Sequence, residues 1–157
     1  MRRIKKILKG LFFVILFVFA GIQFIPIDYN LNEVVSENDI SKSFDVPIDI
    51  QNLLKTSCYD CHSNNTQYPW YNKVQPVSWI MESHIKEGKE ELNFNEFKTY
   101  SNRKKKSKLK SIISQIDDGE MPLLSYSFFH KDSKFSKAEK IFIMEWFNKK
   151  LDSLYFF

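Results

Sequence analysis

Two cysteines and a histidine at fixed spacing form the segment of this chain that is best suited to chemistry. It reads Cys58-Tyr59-Asp60-Cys61-His62, which fits the C-x-x-C-H pattern that attaches a c-type haem. Two thiols three positions apart on one turn can each add across one vinyl group of the same haem. The histidine that follows is then held beneath the iron as an axial ligand. The pattern therefore predicts one covalent haem c per chain, bound by Cys58, Cys61 and His62.

Three other kinds of site compete with this interpretation. A thioredoxin-like redox pair also uses C-x-x-C, but it belongs to a βαβ pattern that is not visible here. A zinc site needs four ligands. Because the chain has only 2 cysteines, His62, His84 and His130 would have to supply the others. A structural disulfide across so short a loop is strained and gains little loop-closure entropy.

The N-terminus has the pattern of an export signal. Basic residues at positions 2–9 precede an almost wholly apolar run over residues 11–25. A positive segment followed by a hydrophobic one is typical of a secretory signal, and residues 7–27 are close to the ~20 that span a bilayer. We expect residues 1–27 to form an uncleaved transmembrane anchor with its basic end in the cytoplasm. A cleaved signal peptide is the alternative.

The net charge of +4 is set by this N-terminal segment. Without its five basic residues, the chain keeps 18 of its 23 Lys and Arg against 19 Asp and Glu, a net charge of −1. No nucleic-acid partner is therefore predicted. One basic run remains, from Arg103 to Lys110. It is either a solvated helix face or a docking surface for an acidic redox partner or anionic lipid.

Export and haem attachment are consistent with each other, because bacteria attach c-type haem outside the cytoplasmic membrane. We expect an inner-membrane anchor followed by a linker over residues 28–45. A haem-binding domain over residues 46–157 would then lie in the periplasm.

The exported part is predicted to be all-α. Ile50, Leu53 and Leu54 share one face of a helix that runs into the cysteine motif. Two capping boxes begin later helices and two glycines end others, namely Asn93 with Glu96, Ser136 with Glu139, Gly88 and Gly119. No β-alternation or internal repeat is visible. The predicted fold is a small cytochrome-c-like helical domain around one haem, preceded by one transmembrane helix.

The second axial position of the iron has several candidate ligands. Met121 lies in Gly119-Glu120-Met121-Pro122, on a rigid loop beyond a helix end. A thioether ligand raises the reduction potential relative to a second histidine. His84 and His130 are alternatives, and so is a site that is open or bound by water. We expect His62 and Met121 to be the metal ligands.

These motifs resemble the bacterial haem-binding domain family, whose members are single-haem c-type cytochromes. The resemblance covers residues from about Val46 to Lys150. The matching residues are Cys58-x-x-Cys61-His62-Ser63-Asn64 with Thr66, Pro69-Trp70-Tyr71, Pro76-Val77-Ser78-Trp79, His84, Gly88-Lys89, Leu92-Asn93-Phe94, Gly119-Glu120-Met121-Pro122-Leu123, Tyr126, His130 and Trp146. The chain differs at Lys89, where the family prefers Arg, and at Asn95, where it prefers Ser or Asp. The resemblance implies haem binding.

Two classes of function are consistent with these features. The first is a membrane-anchored carrier of single electrons, not an enzyme, whose partners are redox proteins of the cell envelope. The second is a haem-based sensor, or a haem protein that reacts with small ligands or peroxide. It needs an open or displaceable sixth position, with His84 or His130 as a distal acid–base group. No paired carboxylates or nucleophile–base set is visible. Met121 discriminates between the two classes, and because we expect it to ligate the iron, we expect the electron carrier.

Overall fold

The computed structural model describes residues 2–32, 34 and 36–155, and 69% of these residues are helical. No strand is present in this part of the chain, so the all-α fold class is confirmed. Its α-helices are α1 (Arg2–Ile22), α2 (Ile48–Ser57), α3 (Tyr59–His62), α4 (Val77–Glu91), α5 (Asn102–Asp117), α6 (Leu124–Phe129) and α7 (Lys137–Ser153). Its 3₁₀ helices are Ile40–Lys42, Trp70–Lys73, Phe94–Thr99 and Lys131–Ser133.

The chain divides into two compact units, each described by itself. The first comprises Met1–Tyr29 and Gln67–His84, and the second comprises Asn30–Thr66 and Ile85–Phe157. The cysteine motif therefore belongs to the second unit, together with α5, α6 and α7.

Helix α1 ends at Ile22, before the end of the expected anchor, and none of its residues is buried. Lys5, Lys6 and Lys9 lie within it, so its charge-free apolar part is residues 10–22. At a rise of about 1.5 Å per residue this part extends roughly 20 Å, against ~30 Å for the hydrocarbon core of a bilayer. In the described portion of the chain, no helix is both long enough and apolar enough to cross a membrane. The prediction of a transmembrane helix over residues 1–27 is corrected accordingly, to a helix over Arg2–Ile22.

Polar pairing holds the first unit together next to α1. The Gln23 side chain bonds both backbone groups of Gln75, accepting its N–H at 2.9 Å and donating to its carbonyl at 3.3 Å. The rings of Tyr29 and Tyr68 meet edge to face at 5.0 Å between centroids. Residues at the C-terminal end of α1 and just beyond are thereby bonded to the loops that precede α4.

Helices α5 and α7 form an antiparallel pair in the second unit. Lys140, near the start of α7, pairs with Asp117 at the end of α5, with 3.2 Å between Nζ and Oδ1. At the other end, the Lys106 ammonium lies 4.1 Å from the ring centroid of Tyr155. The hydrophobic core cluster of this unit consists of Ile40, Val46, Ile50, Leu54, Leu92, Phe94, Phe97, Leu109, Ile116, Ile143, Trp146, Phe147 and Leu151.

Part of the predicted linker contributes to this core. Ile40 is fully buried and Asp39 is 4% exposed. The Asp39 carboxylate caps the 3₁₀ helix Ile40–Lys42 by accepting the N–H of Ser41 at 2.9 Å. One short turn carries these buried residues, so the segment shows no helical periodicity in the sequence. The predicted boundaries at residues 27 and 45 stay predictions.

Candidate functional site

The cysteine motif lies where α2 passes into α3. Cys58 donates its N–H to the Leu54 carbonyl at 2.9 Å, and it is also the N-cap residue of α3. The N–H groups of Cys61 and His62 then donate to the Cys58 carbonyl at 3.2 and 3.0 Å. The structure thus places Cys58, Cys61 and His62 on one turn, which is the local geometry that attachment to a single haem requires.

Two backbone carbonyls hold the His62 ring. Its Nδ1 lies 2.8 Å from the Gly88 oxygen and 3.0 Å from the Leu92 oxygen. Carbonyl oxygens only accept, so Nδ1 carries the proton and donates it. In the neutral ring, Nε2 then has the lone pair that binds a metal, and an Nδ1–H bond to a carbonyl is the usual support of such a ligand.

Gly88 allows α4 to approach the motif closely. A Cβ at this position would lie 2.7 Å from the Cys61 carbonyl oxygen and 3.3 Å from the Cys61 Cβ. The first distance is below any that a real Cβ shows to backbone, so any larger residue here must push the two segments apart. The sequence predicts Gly88 as a helix stop, but α4 continues to Glu91. The physical reason for this glycine is close packing on the motif.

The buried carboxylate of Asp39 is connected to the motif at Tyr59 and, through Asn95, to Asn64 just after it. The Tyr59 hydroxyl donates to Asp39 Oδ2 at 3.1 Å, and Asn95 Nδ2 donates to the same oxygen at 2.8 Å. Asn95 Oδ1 in turn accepts the Asn64 N–H at 2.7 Å. Burial, followed by the charge of Asp39, raises the pKa of Tyr59 well above its ordinary value, so this hydroxyl stays a donor. Asp39 was not among the sequence candidates, because nothing local marks an aspartate in a polar segment as buried.

Tyr126 of α6 bonds to Asp60, one of the two residues between the cysteines. Its hydroxyl lies 2.7 Å from Asp60 Oδ2, and its ring stacks on His130 with 4.2 Å between centroids. His130 Nδ1 is also 3.2 Å from the Tyr126 carbonyl, to which it donates. Burial, and then the hydrogen bond to Asp60, raise the pKa of Tyr126 above its usual range. The structure therefore brings His130 close to the motif through Tyr126.

The other predicted ligands lie on different elements. Met121 is half-buried on the turn that follows α5, and its N–H donates to the Gln115 carbonyl at 3.1 Å. Gly119 has a φ of 73° at the end of this helix, which confirms the predicted glycine stop. His84 belongs to the first unit. The roles of Met121, His84 and His130 as iron ligands stay predictions.

The surroundings of the two thiols do not favour dithiol redox chemistry. Both cysteines are free. Burial of the sulfur, with a smaller effect from the Cys61 charge, raises the pKa of Cys58 to about 12. Burial and the neighbouring Asp60 raise the pKa of Cys61 to about 11. A reactive redox cysteine needs the opposite shift, to a pKa below that of free cysteine.

The zinc alternative also lacks support. Within residues 2–32, 34 and 36–155, no three or more His, Cys, Asp or Glu side chains are grouped so that they could hold a metal ion. His62, His84 and His130 all lie in these ranges, so the ligand set that zinc would need beside the cysteines is not assembled there.

We expect the thiols of the folded, haem-free chain to react slowly with iodoacetamide. At about pH 8, a thiol with a pKa of about 11 has roughly 100-fold less thiolate than one with the ordinary value of 9.0. The deficit in thiolate should shrink as the pH rises toward 11 and vanish when urea unfolds the chain. Alkylation rates of Cys58→Ser and Cys61→Ser, each with one thiol left, measure the two sites separately. Rapid alkylation of the folded chain near neutral pH would contradict these pKa values and favour a redox-active pair.

Comparison with known proteins identifies one match. The family described as "Haem-binding domain" matches residues 17–149 of this chain. That range contains the cysteine motif, Met121 and both candidate distal histidines. No curated protein and no solved structure matches the chain significantly.

Proposed function

We propose, because this chain belongs to the haem-binding domain family, that it holds one haem c covalently and carries single electrons. Family membership supports haem binding itself, and the covalent attachment and electron transfer are our proposal. The observation that carries it is the hydrogen bonding of His62. Since Nδ1 donates to Gly88 and Leu92 at 2.8 and 3.0 Å, the ring is fixed in the tautomer that ligates iron through Nε2.

The residues of the motif fit a haem in their chemistry. Cys58 and Cys61 are free thiols on one turn, as two thioether bonds to one haem require. His62, on the same turn, would ligate the iron. When bound, the haem supplies one-electron chemistry at its iron, while the protein sets ligation and surroundings. Asp39, through Tyr59, and Tyr126, through Asp60, would keep the turn in place.

Six-coordinate iron distinguishes a carrier from a reactive haem protein. A thioether from Met121 would complete the coordination, leave no position for a substrate and favour the reduced iron. Such a site needs only a docking surface for its partners, which we propose are redox proteins of the cell envelope. A displaceable sixth position would instead suit a sensor or a peroxide-reactive protein.

The N-terminal helix supports export of the domain as part of this proposal. Its basic start is followed by the apolar residues 10–22, a length within the 7–15 residues typical of the hydrophobic part of a secretory signal. Export would bring the cysteines to the side of the cytoplasmic membrane where bacteria attach c-type haem. A fusion of residues 1–29 to a reporter that is active only after export tests this directly, with Lys5, Lys6 and Lys9 changed to glutamate as the export-deficient control.

Met121→Ala tests the sixth ligand. We expect the variant to lose the weak far-red band of Met-ligated ferric haem and to bind cyanide or carbon monoxide. Its midpoint potential should fall by on the order of 0.1 V, a part of the range of about 0.8 V that axial ligands cover. Absorption spectra and redox titration of the purified domain measure both effects.

Met144→Ala is the matched control, because Met144 is a partly buried methionine that packs against the core. Its spectrum should not change. An unchanged spectrum in Met121→Ala would remove Met121 as a ligand. If the unsubstituted chain then bound cyanide or carbon monoxide readily, its sixth position would be displaceable, and the sensor or peroxide-reactive function would replace the electron carrier.

A further inference from the structure

The peptide bond between Leu92 and Asn93 connects His62 to a phenol. Its carbonyl oxygen accepts the Nδ1–H of His62 at 3.0 Å. Its N–H donates to the hydroxyl oxygen of Tyr100 at 3.0 Å. One peptide unit is thus hydrogen-bonded at both ends, to the candidate axial ligand on one side and to Tyr100 on the other.

Hydrogen bonds in series of this kind strengthen one another. When a peptide N–H donates to an acceptor, electron density shifts toward its carbonyl oxygen, which becomes a better acceptor in turn. A better acceptor for Nδ1–H makes the imidazole a stronger electron donor through Nε2. A stronger donor stabilises ferric relative to ferrous iron, so the hydroxyl of Tyr100 should lower the reduction potential.

The surroundings of Tyr100 fix its hydroxyl in place. The Lys104 ammonium lies 3.7 Å from the ring centroid, and the Phe97 ring is 5.7 Å away between centroids. The hydroxyl also makes a longer contact of 3.4 Å to the Asn93 carbonyl, to which it donates. The Asn93 side chain is itself held, since its Nδ2 donates to Asn64 Oδ1 at 2.8 Å. Neither partner of the 3.0 Å bond is therefore free to turn away.

We propose that Tyr100 is a positioning residue for His62. Through the Leu92–Asn93 peptide it strengthens the Nδ1–H bond of His62 and so lowers the reduction potential of the haem that this histidine would ligate. The effect of Tyr100 on the reduction potential of the haem rests on the proposed function. Its effect on the hydrogen bond of His62 is a property of the chain alone.

Tyr100→Phe tests the proposal because it removes the hydroxyl and keeps the ring beneath Lys104. We expect the midpoint potential to rise while the amount of covalent haem, measured by the pyridine haemochrome, stays the same. In proton NMR of the haem-free chain, the Nδ1–H signal of His62 should shift upfield, as expected for a weaker hydrogen bond. Tyr155→Phe is the matched control, since Tyr155 also has a lysine over its ring, with Lys106 at 4.1 Å.

The two readouts separate this inference from the function on which it rests. An unchanged Nδ1–H signal and an unchanged potential in a haem-loaded Tyr100→Phe protein would overturn the role of Tyr100. Shifts of equal size in Tyr155→Phe would also overturn it, because they would show a general effect of losing a hydroxyl. A wild-type chain that never acquires covalent haem would refute the proposed function, while the NMR comparison would still decide whether Tyr100 acts on His62.

Discussion

A chain in which Cys58 and Cys61 are both replaced by alanine is expected to release all of its haem on denaturation. In the proposed function each thiol would supply one thioether bond, so each single variant should keep its haem through the remaining sulfur. The double variant would have no covalent bond left, and ligands such as His62 would hold the iron only while the protein is folded. Extraction with acidified organic solvent, and a pyridine haemochrome of each fraction, measure how much haem stays with the polypeptide.

Thr56→Ala is the control for this experiment, because Thr56 precedes the motif by two residues and lies exposed on α2. It should retain its haem as the unsubstituted chain does. Haem that stays with the denatured double variant would show that another residue forms the covalent bond. If the chain lacked haem after expression with the maturation machinery, Cys58 and Cys61 would instead have to act as thiols.

Features that depend on neighbouring residues could be predicted from the sequence. The C-x-x-C-H spacing places its three side chains on one turn because the backbone bonds that close this turn span only three or four residues. The capping box at the start of α7 is confirmed for the same reason. Glu139 donates its N–H to the Ser136 hydroxyl at 3.2 Å, and the Ser136 N–H donates to the Glu139 carboxylate at 2.8 Å.

The predicted helix start at Asn93 is confirmed, but the hydrogen bond of its side chain is not that of a capping box with Glu96. Asn93 accepts a hydrogen bond from Asn95, two residues later, and begins a 3₁₀ helix over Phe94–Thr99. Its own side-chain amide is bonded to Asn64, 29 residues earlier in the chain. An N-cap pattern in the sequence contains no information about that distant contact.

The residues that support His62 could not be predicted, because they are distant in sequence and their groups are common. The acceptors of its Nδ1–H are two backbone carbonyls, which every residue possesses. Nothing in the local sequence distinguishes Asp39 or Tyr100 from other residues of the same type. Only the fold buries Asp39 and places the Tyr100 hydroxyl against a peptide N–H. Their contacts with the region around the motif distinguish Asp39 and Tyr100 from other residues of their types, and a single sequence does not show those contacts.

At Gly88, the local sequence pattern and a contact with a distant residue lead to different explanations of the same glycine. A glycine near the end of a helical pattern has two common explanations, a C-cap or a close approach of two backbones. The local sequence is identical in both cases. Only the 2.7 Å distance from a hypothetical Cβ to the Cys61 oxygen decides in favour of close approach.

Gly88→Ala is therefore expected to disturb the haem site more than any other single-methyl addition at a glycine of this chain. Alanine in a helix gains up to about 1 kcal/mol over glycine. Overpacking against a backbone atom costs about 1–3 kcal/mol, so we expect a net loss in the free energy of unfolding. Moving α4 away would also withdraw the Gly88 carbonyl from His62, which should lower the yield of covalent haem. Urea unfolding and the pyridine haemochrome measure the two losses.

Gly119→Ala is the informative comparison, because it adds strain without adding a contact. Its φ of 73° disfavours a side chain, yet nothing lies within 4 Å of the added Cβ. It should lower the free energy of unfolding by about 1–2 kcal/mol and leave the haem yield per folded chain unchanged. If Gly88→Ala behaved in the same way, instability alone would explain its effect. A lower haem yield in Gly88→Ala at equal stability would show that the contact between α4 and Cys61 positions His62.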